Sequence, residues 1–321
     1  MWFEALTGFR EHEVDDVAAM FLVEDGRLSS RVTGRSRGHG RFEVPTLGEL
    51  RERCRGAGGA GMLNRREVVA EVQDLHTDPV NAGAFFQVAS QFNTLEMSDP
   101  SVTPEDGIDR YEHDHTQGPA CAIACGAGTI YRNYLVPVQG GLGQTADRQI
   151  DCLADLAAAL GIDVPMQNGY AFPRTSQLEQ LRWLSGAADE ERASLMGKLR
   201  IGLQWDAEVT LADAGHPVTQ AYCSAMPVRY SAQPYELWEP LARLVLDAAY
   251  EATLCAAVLN ARATGNRRVY LTLLGGGAFG NPKGWIVAAL ERCLLLFAHA
   301  DLDVALVSFG GRNPDLAALV G

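Results

Sequence analysis

Apolar and polar positions along this chain change period in ways that separate strands from helices. Val269 to Leu274 is an apolar run with β-branched and aromatic members. It gives way to Gly275-Gly276-Gly277, then Ala278-Phe279-Gly280-Asn281-Pro282, then an amphipathic run of helix formers. The order is strand, glycine loop, helix. Earlier, Ala82 to Asn93 (AGAFFQVASQFN) is apolar and β-compatible until Ser90, Gln91 and Asn93 appear together, where a buried strand would leave its sheet.

The same reading places strands at Gly202 to Thr210, Val218 to Val228 and Leu302 to Phe309, and helices from Pro240 and Pro282. After Pro240, apolar residues at Leu241, Leu244, Val245, Ala248, Ala252, Cys255, Ala256 and Leu259 form a 3.6-residue stripe suited to packing on a sheet. Strands alternating with helices predict an α/β fold whose mixed, partly parallel sheet is covered by helices on both faces.

The first part of the chain reads differently. Met20 to Val23, an Asp25-Gly26 turn and Leu28 to Val32 predict an antiparallel hairpin. Thr46 with Glu49, and Asn64 with Glu67, each set a capping side chain three residues before an acid, which predicts two helices separated by the glycines of 56–61. Residues 1–74 therefore read as a small N-terminal α+β extension, and residues 75–321 as the main domain.

Composition narrows the functional classes. The 321 residues are 47% hydrophobic, enough to bury a large core, and the net charge of −13 opposes binding to duplex nucleic acid or an anionic membrane. No run approaches eighteen consecutive apolar residues, and acids stand where a signal peptide would have its basic start, so a cytoplasmic protein is expected. Seven cysteines without a C-x-x-C pair signal neither a disulfide framework nor a zinc site.

The glycine loop is the first candidate site. Glycines let backbone N–H groups approach an anion, and the next helix adds its positive end. The loop lacks the Lys-Ser of a P-loop and follows a late strand, so phosphate is expected as a guest without either standard nucleotide fold. A packing turn is the bland alternative.

The second candidate is the polar segment from Met97 to Gln117, too long for a mere connection. Glu96, Asp99, Glu105, Asp106, Asp109, Glu112 and Asp114 lie in or beside it. Carboxylates beside a diphosphate repel it unless they face a neutral sugar or a cation attached to the sugar. An arginine side chain joined to the sugar would be such a cation. Carboxylates near an anomeric carbon can orient water or handle protons; Asp114 and Glu105 are selected for this, and Asp109 and Glu112 read as solvated.

His113 and His115 lack a third and fourth partner for a metal. Cys121 and Cys125 fit a tightly packed helix, Ser224 has no nucleophile-elbow setting, and Phe279 is the aromatic best placed to touch a ligand.

A strand ending in SQFN and a late strand followed by GGGAFGNP resemble the two signatures of the macrodomain superfamily. QVASQFNTLEM, TPEDGIDRYEHDHTQGPACAIACGAGTIYRN and LTLLGGGAFGNPKGWI are similar to its MavL-like branch, the ADP-ribosyl-ubiquitin hydrolases, over about Leu75 to Phe309. The resemblance implies that Asn93 contacts the distal ribose, with Gln91 replacing a usual contact. It implies that Gly275, Gly276, Gly277, Ala278, Phe279, Gly280 and Asn281 wrap the diphosphate, with Thr116 and Gln117 also at the ligand. Asp114 is the matched functional acid, with Asp106 or Glu105 as the second.

Two departures stand out. The N-A-A-N string of ordinary macrodomains is missing, and so is the double-glutamate signature of poly(ADP-ribose) glycohydrolases. The implied activity is removal of mono-ADP-ribose from arginine side chains, with ADP-ribosylated protein, ubiquitin included, as partner and no metal or redox cofactor. The alternative is a reader that binds ADP-ribose without cutting it.

Overall fold

Long runs of buried residues in the middle of the chain become strands because only a sheet covered on both faces can hide them. The computed structural model describes residues 1–56 and 61–320, and in it seven strands form one sheet. They are β1 (Arg41–Glu43), β2 (Asn64–Val69), β3 (Phe85–Ala89), β4 (Gly202–Glu208), β5 (Pro217–Cys223), β6 (Arg268–Leu271) and β7 (Asp303–Ser308). The spatial order is β1-β4-β5-β3-β6-β7-β2. The β1–β4 and β4–β5 pairs are antiparallel and the rest parallel, so the fold is mixed α/β.

Alternation along the strands sends side chains into two layers. On one face Phe86, Val88, Val218, Tyr222, Tyr270 and Ala305 pack with helices α2 (Val72–Thr77) and α3 (Gln117–Ala124) through Val72 and Cys121, and with Cys125 at the end of α3. The other face carries Phe85, Ala221, Cys223, Val269, Leu271, Val304 and Leu306. These pack in the core with α1 (Leu47–Cys54), α4 (Tyr235–Thr264) and α5 (Lys283–Leu296). Helix α4 is long and apolar enough to cross a membrane, but 83% of its most apolar window is buried inside the protein.

Local signals held where tertiary pairing did not compete with them. Asp25 and Gly26 both take positive φ between antiparallel strands Phe21–Glu24 and Arg27–Ser30, as a two-residue hairpin requires, and Ser36–Gly38 adds a third strand. Thr46 and Glu49 form the expected reciprocal cap of α1. Asn64 and Glu67 do not cap a helix: they lie in β2, whose backbone pairs in parallel with β7 from Asn64↔Asp303 to Val69↔Ser308. The ladder supplies partners that a local cap cannot match, and Glu67 instead accepts from Ser308 Oγ (2.7 Å) and Asn313 N (2.6 Å). Of the predicted separator, residues 57–60 lie outside the described ones.

Helix α4 starts at Tyr235, ahead of Pro240, because Pro234 takes the extended cap position. The missing N–H of Pro240 falls near the exposed first turn, where water can reach the carbonyl it leaves free. The division at residue 74 does not match a break in the sheet, since β1 and β2 form its two edges.

Glu251 of α4 ties three helices together. Its carboxylate accepts from Arg51 Nε of α1 (2.6 Å) and from Arg292 Nη2 of α5 (2.8 Å), and it is buried. Replacing Glu251 with Leu removes the shared partner of two partly exposed guanidinium groups. We expect a loss of about 1–3 kcal/mol, read from urea denaturation; a change well under 1 kcal/mol would show that the contacts are solvated pairs of little weight.

Candidate active site

Parallel strands in register end together, so β5, β3 and β6 deliver Cys223, Ala89 and Leu271 to one rim of the sheet. Open α/β sheets place ligands beyond the carboxyl ends of their strands. A cleft of about 180 Å³ opens there, lined by Ser90, Gln91, Glu96, Asp114, Thr116, Gln117, Tyr170, Tyr230, Thr272, Gly275, Gly277, Ala278 and Phe279, among others.

The glycine loop forms one wall. Gly275 (φ +73°) and Gly280 (φ +70°) occupy the left-handed region, and a Cβ on Gly275 would lie 2.4 Å from the Ala225 Cβ. Asn281 locks the turn: its N–H donates to Gly275 O (3.0 Å), and its Nδ2 donates to Met226 O (2.8 Å). Arg229 N donates to Phe279 O (3.0 Å). The backbone N–H groups of Gly277, Ala278 and Phe279 have no partner among the described residues. Nothing lies within 4 Å of a Cβ built on Gly277. Consecutive free N–H groups on an anchored turn form a concavity for an anion.

The strand end and the acidic segment form the facing wall. Gln91 Nε2 donates to Met97 O (3.2 Å) while its Oε1 accepts from Met97 N (2.7 Å), folding residues 91–97 into a tight loop. Gln117 works as a clip, its Oε1 accepting from Ala89 N (2.9 Å) and its Nε2 donating to Gln87 O (2.8 Å). Asp114, half-buried, accepts from Thr116 N (2.9 Å) and turns the chain into α3.

Several predicted residues fall elsewhere. Asn93 is fully buried and outside the cleft lining, its Oδ1 accepting from Leu95 N and its Nδ2 donating to Gln149 Oε1 (2.9 Å), so it has no surface for a ribose. Glu105 is exposed and accepts from Ala146 N (2.9 Å). Asp106 caps its own turn through Thr103 N (2.8 Å). Both sit on the short turn Pro104–Asp106, where Asp106 serves the cap and neither residue belongs to the cleft lining. Gly276, Gly280 and Asn281 shape the glycine loop from behind its lining face. Phe279 is largely buried against Tyr170 and Tyr230, ring centroids 5.3 and 5.8 Å away.

Glu96 is the acid that sequence reasoning did not single out. It lines the cleft although the residue is 2% exposed, and among the described residues neither carboxyl oxygen has a hydrogen-bond partner. Burial pushes its pKa up to about 8, against the lowering effects of Arg132 and Tyr111. In sequence it resembled Glu105, since nothing local distinguishes an acid folded inward from one folded outward. Phe309 was read as the last strand residue. It is 76% exposed just past β7, and the Leu271↔Leu306 register sets it on the same rim as the glycine loop.

The N-terminal segment holds the acidic loop in place. The buried carboxylate of Glu11 accepts from Ile108 N (2.8 Å), Asp109 N (2.7 Å) and Tyr134 Oη (2.6 Å), and Trp2 N donates to Glu112 Oε2 (3.0 Å). Gly107 is required at this junction, because at φ +89° its Cβ would lie 2.4 Å from a Glu11 carboxylate oxygen.

No family model matches this chain, and no curated protein matches it. Among solved structures, it is similar to the poly(ADP-ribose) glycohydrolase of Deinococcus radiodurans in complex with ADP-ribose, at 12% identity and a TM-score of 0.48, covering 87% of this chain and 95% of that one. It is also similar to the poly(ADP-ribose) glycohydrolase of Thermomonospora curvata, at 15% identity and a TM-score of 0.46, covering 90% and 89%. The latter enzyme bound to the inhibitor ADP-HPD gives 14% and 0.45 over the same shares.

Gly275 and Gly277 separate two uses of glycine. Gly275→Ala meets both a positive φ and a close contact, so a loss of at least about 1–2 kcal/mol is expected in urea denaturation. Gly277→Ala should stay within about 0.5 kcal/mol of the native chain. Equal losses at the two positions would contradict the geometry.

Proposed function

We propose that this protein is an ADP-ribosylhydrolase that releases mono-ADP-ribose from arginine side chains, with ADP-ribosylated ubiquitin as its candidate protein partner. The observation that carries the reading is the pairing, across one cleft, of the open N–H row of Gly277, Ala278 and Phe279 with the carboxylate of Asp114. The N–H row suits a diphosphate. Asp114 suits the sugar end, where a carboxylate stabilises positive charge at an anomeric carbon and accepts a proton from attacking water.

The acidic chain as a whole favours a cationic conjugate over a polyanion, given its net charge of −13. Phe309, exposed on the adjacent strand end, offers a face on which an adenine can stack. In the reaction, the bond from the ribose carbon to the guanidino nitrogen breaks and the oxygen of water joins that carbon.

The test is hydrolysis of a mono-ADP-ribosylated arginine peptide followed by mass spectrometry. We expect release of free ADP-ribose, a fall of about 10²- to 10⁴-fold in Asp114→Ala, and retained ADP-ribose binding by that variant in calorimetry. Gly277→Val should abolish binding while the fold persists. Tight binding of ADP-ribose with an intact conjugate would make the protein a reader, and absence of binding would end the proposal.

A further inference from the structure

We infer that Glu96 is the proton donor of the cleft, working beside the Asp114 carboxylate; this rests on the hydrolase reading above. Three geometric facts point there. Glu96 lines the cleft from inside the protein, its two oxygens have no hydrogen-bond partner among the described residues, and the Arg132 guanidinium lies 3.6 Å from Oε1, an ion-pair distance beyond hydrogen-bond reach.

Arg132 is itself engaged elsewhere. It donates from Nε to Thr94 O (3.1 Å) and from Nη2 to Thr129 Oγ1 (3.3 Å), and it stacks on the Tyr222 ring at 3.5 Å from the centroid. A carboxylate buried without hydrogen bonds is costly, whereas the protonated acid is far less so. The other groups facing Glu96 are Tyr111, whose Oη accepts from the Glu96 N–H (3.0 Å), Tyr222 and Cys121, the last held as a thiol by burial. None of them carries a compensating positive charge.

Asp114 has different surroundings, partly exposed to solvent and bonded to a backbone N–H. Two carboxyl groups of one cleft, one hidden and one wet, divide into acid and base. The carbon–nitrogen bond breaks with its electron pair going to nitrogen, which takes the Glu96 proton. The water oxygen bonds the ribose carbon, and its proton passes to Asp114. Solvent then returns a proton to Glu96 and removes one from Asp114.

A donor matters only when the leaving atom needs a proton, and this supplies the experiment. Wild type and Glu96→Gln are compared on an ADP-ribosylated arginine peptide and on a 4-nitrophenyl glycoside of ADP-ribose, whose nitrophenolate leaves unprotonated. We expect kcat to fall about 10²- to 10⁴-fold on the peptide and to stay near the wild-type rate on the nitrophenyl compound, with ADP-ribose binding unchanged.

The wild-type protein gives a second readout that survives a misfolded variant. Its rate on the peptide should decline as pH rises through about 8, where the acid loses its proton, and its nitrophenyl rate should not. Equal slowing of Glu96→Gln on both substrates, or the same alkaline limb on both in wild type, overturns the assignment of Glu96 and leaves the hydrolase reading intact. A wild-type protein inert on both substrates overturns the two together.

Discussion

Gly118 meets the end of β3 so closely that a Cβ there would lie 2.0 Å from Ala89 O and 3.1 Å from the Glu96 Cγ. That contact fixes where α3 begins, and most of the cleft follows from it. With α3 seated against the strand, the Gln117 amide reaches Ala89 N and Gln87 O and satisfies the last backbone groups of β3. Asp114, two residues before the helix cap, is thereby turned to the cleft, and Glu96 is pressed beneath the same helix start. Any larger residue at 118 would lift the helix and separate the two carboxyl groups from the glycine loop.

The interior around this contact is unusually polar for a core. Arg132, Glu96, Tyr111 and Tyr222 are all buried together, and the Arg132 guanidinium donates to a carbonyl and a hydroxyl and lies over an aromatic face. Its nearest nitrogen stands 3.6 Å from Glu96 Oε1, so the guanidinium attracts this carboxyl without a hydrogen bond to it, and burial outweighs that attraction. Packing and chemistry are linked here: the groups that make the core cohere also set the charge state of the acid at its edge.

The two walls of the cleft are built on different terms. The glycine loop is stiffened from behind by Asn281 and by the Arg229 backbone, so its open N–H groups are held in place before any ligand arrives. The acidic wall has little secondary structure of its own and depends on Glu11 and Trp2, about a hundred residues earlier in the chain. The N-terminal residues are thus part of the machinery that shapes the site, and the edges of the main sheet also come from the first seventy residues.

Periodicity and turn chemistry determined a good deal without any tertiary information. The strand–glycine loop–helix unit at 268–296, the strand ending at Ser90, the stripe of α4, the Asp25-Gly26 hairpin and the Thr46 cap are all local patterns with local causes. Three things were decided only when the chain folded. Asn64 to Val69 became an edge strand because a long-range ladder with β7 outweighed a local cap. Asn93, Glu105 and Asp106 turned their polar atoms to nearby backbone and amide groups and left the cleft. Glu96, one acid among seven in its stretch, entered it. Sequence shows which side chains can ionise, but burial and partners set which of them do, and those arise from contacts between residues far apart along the chain.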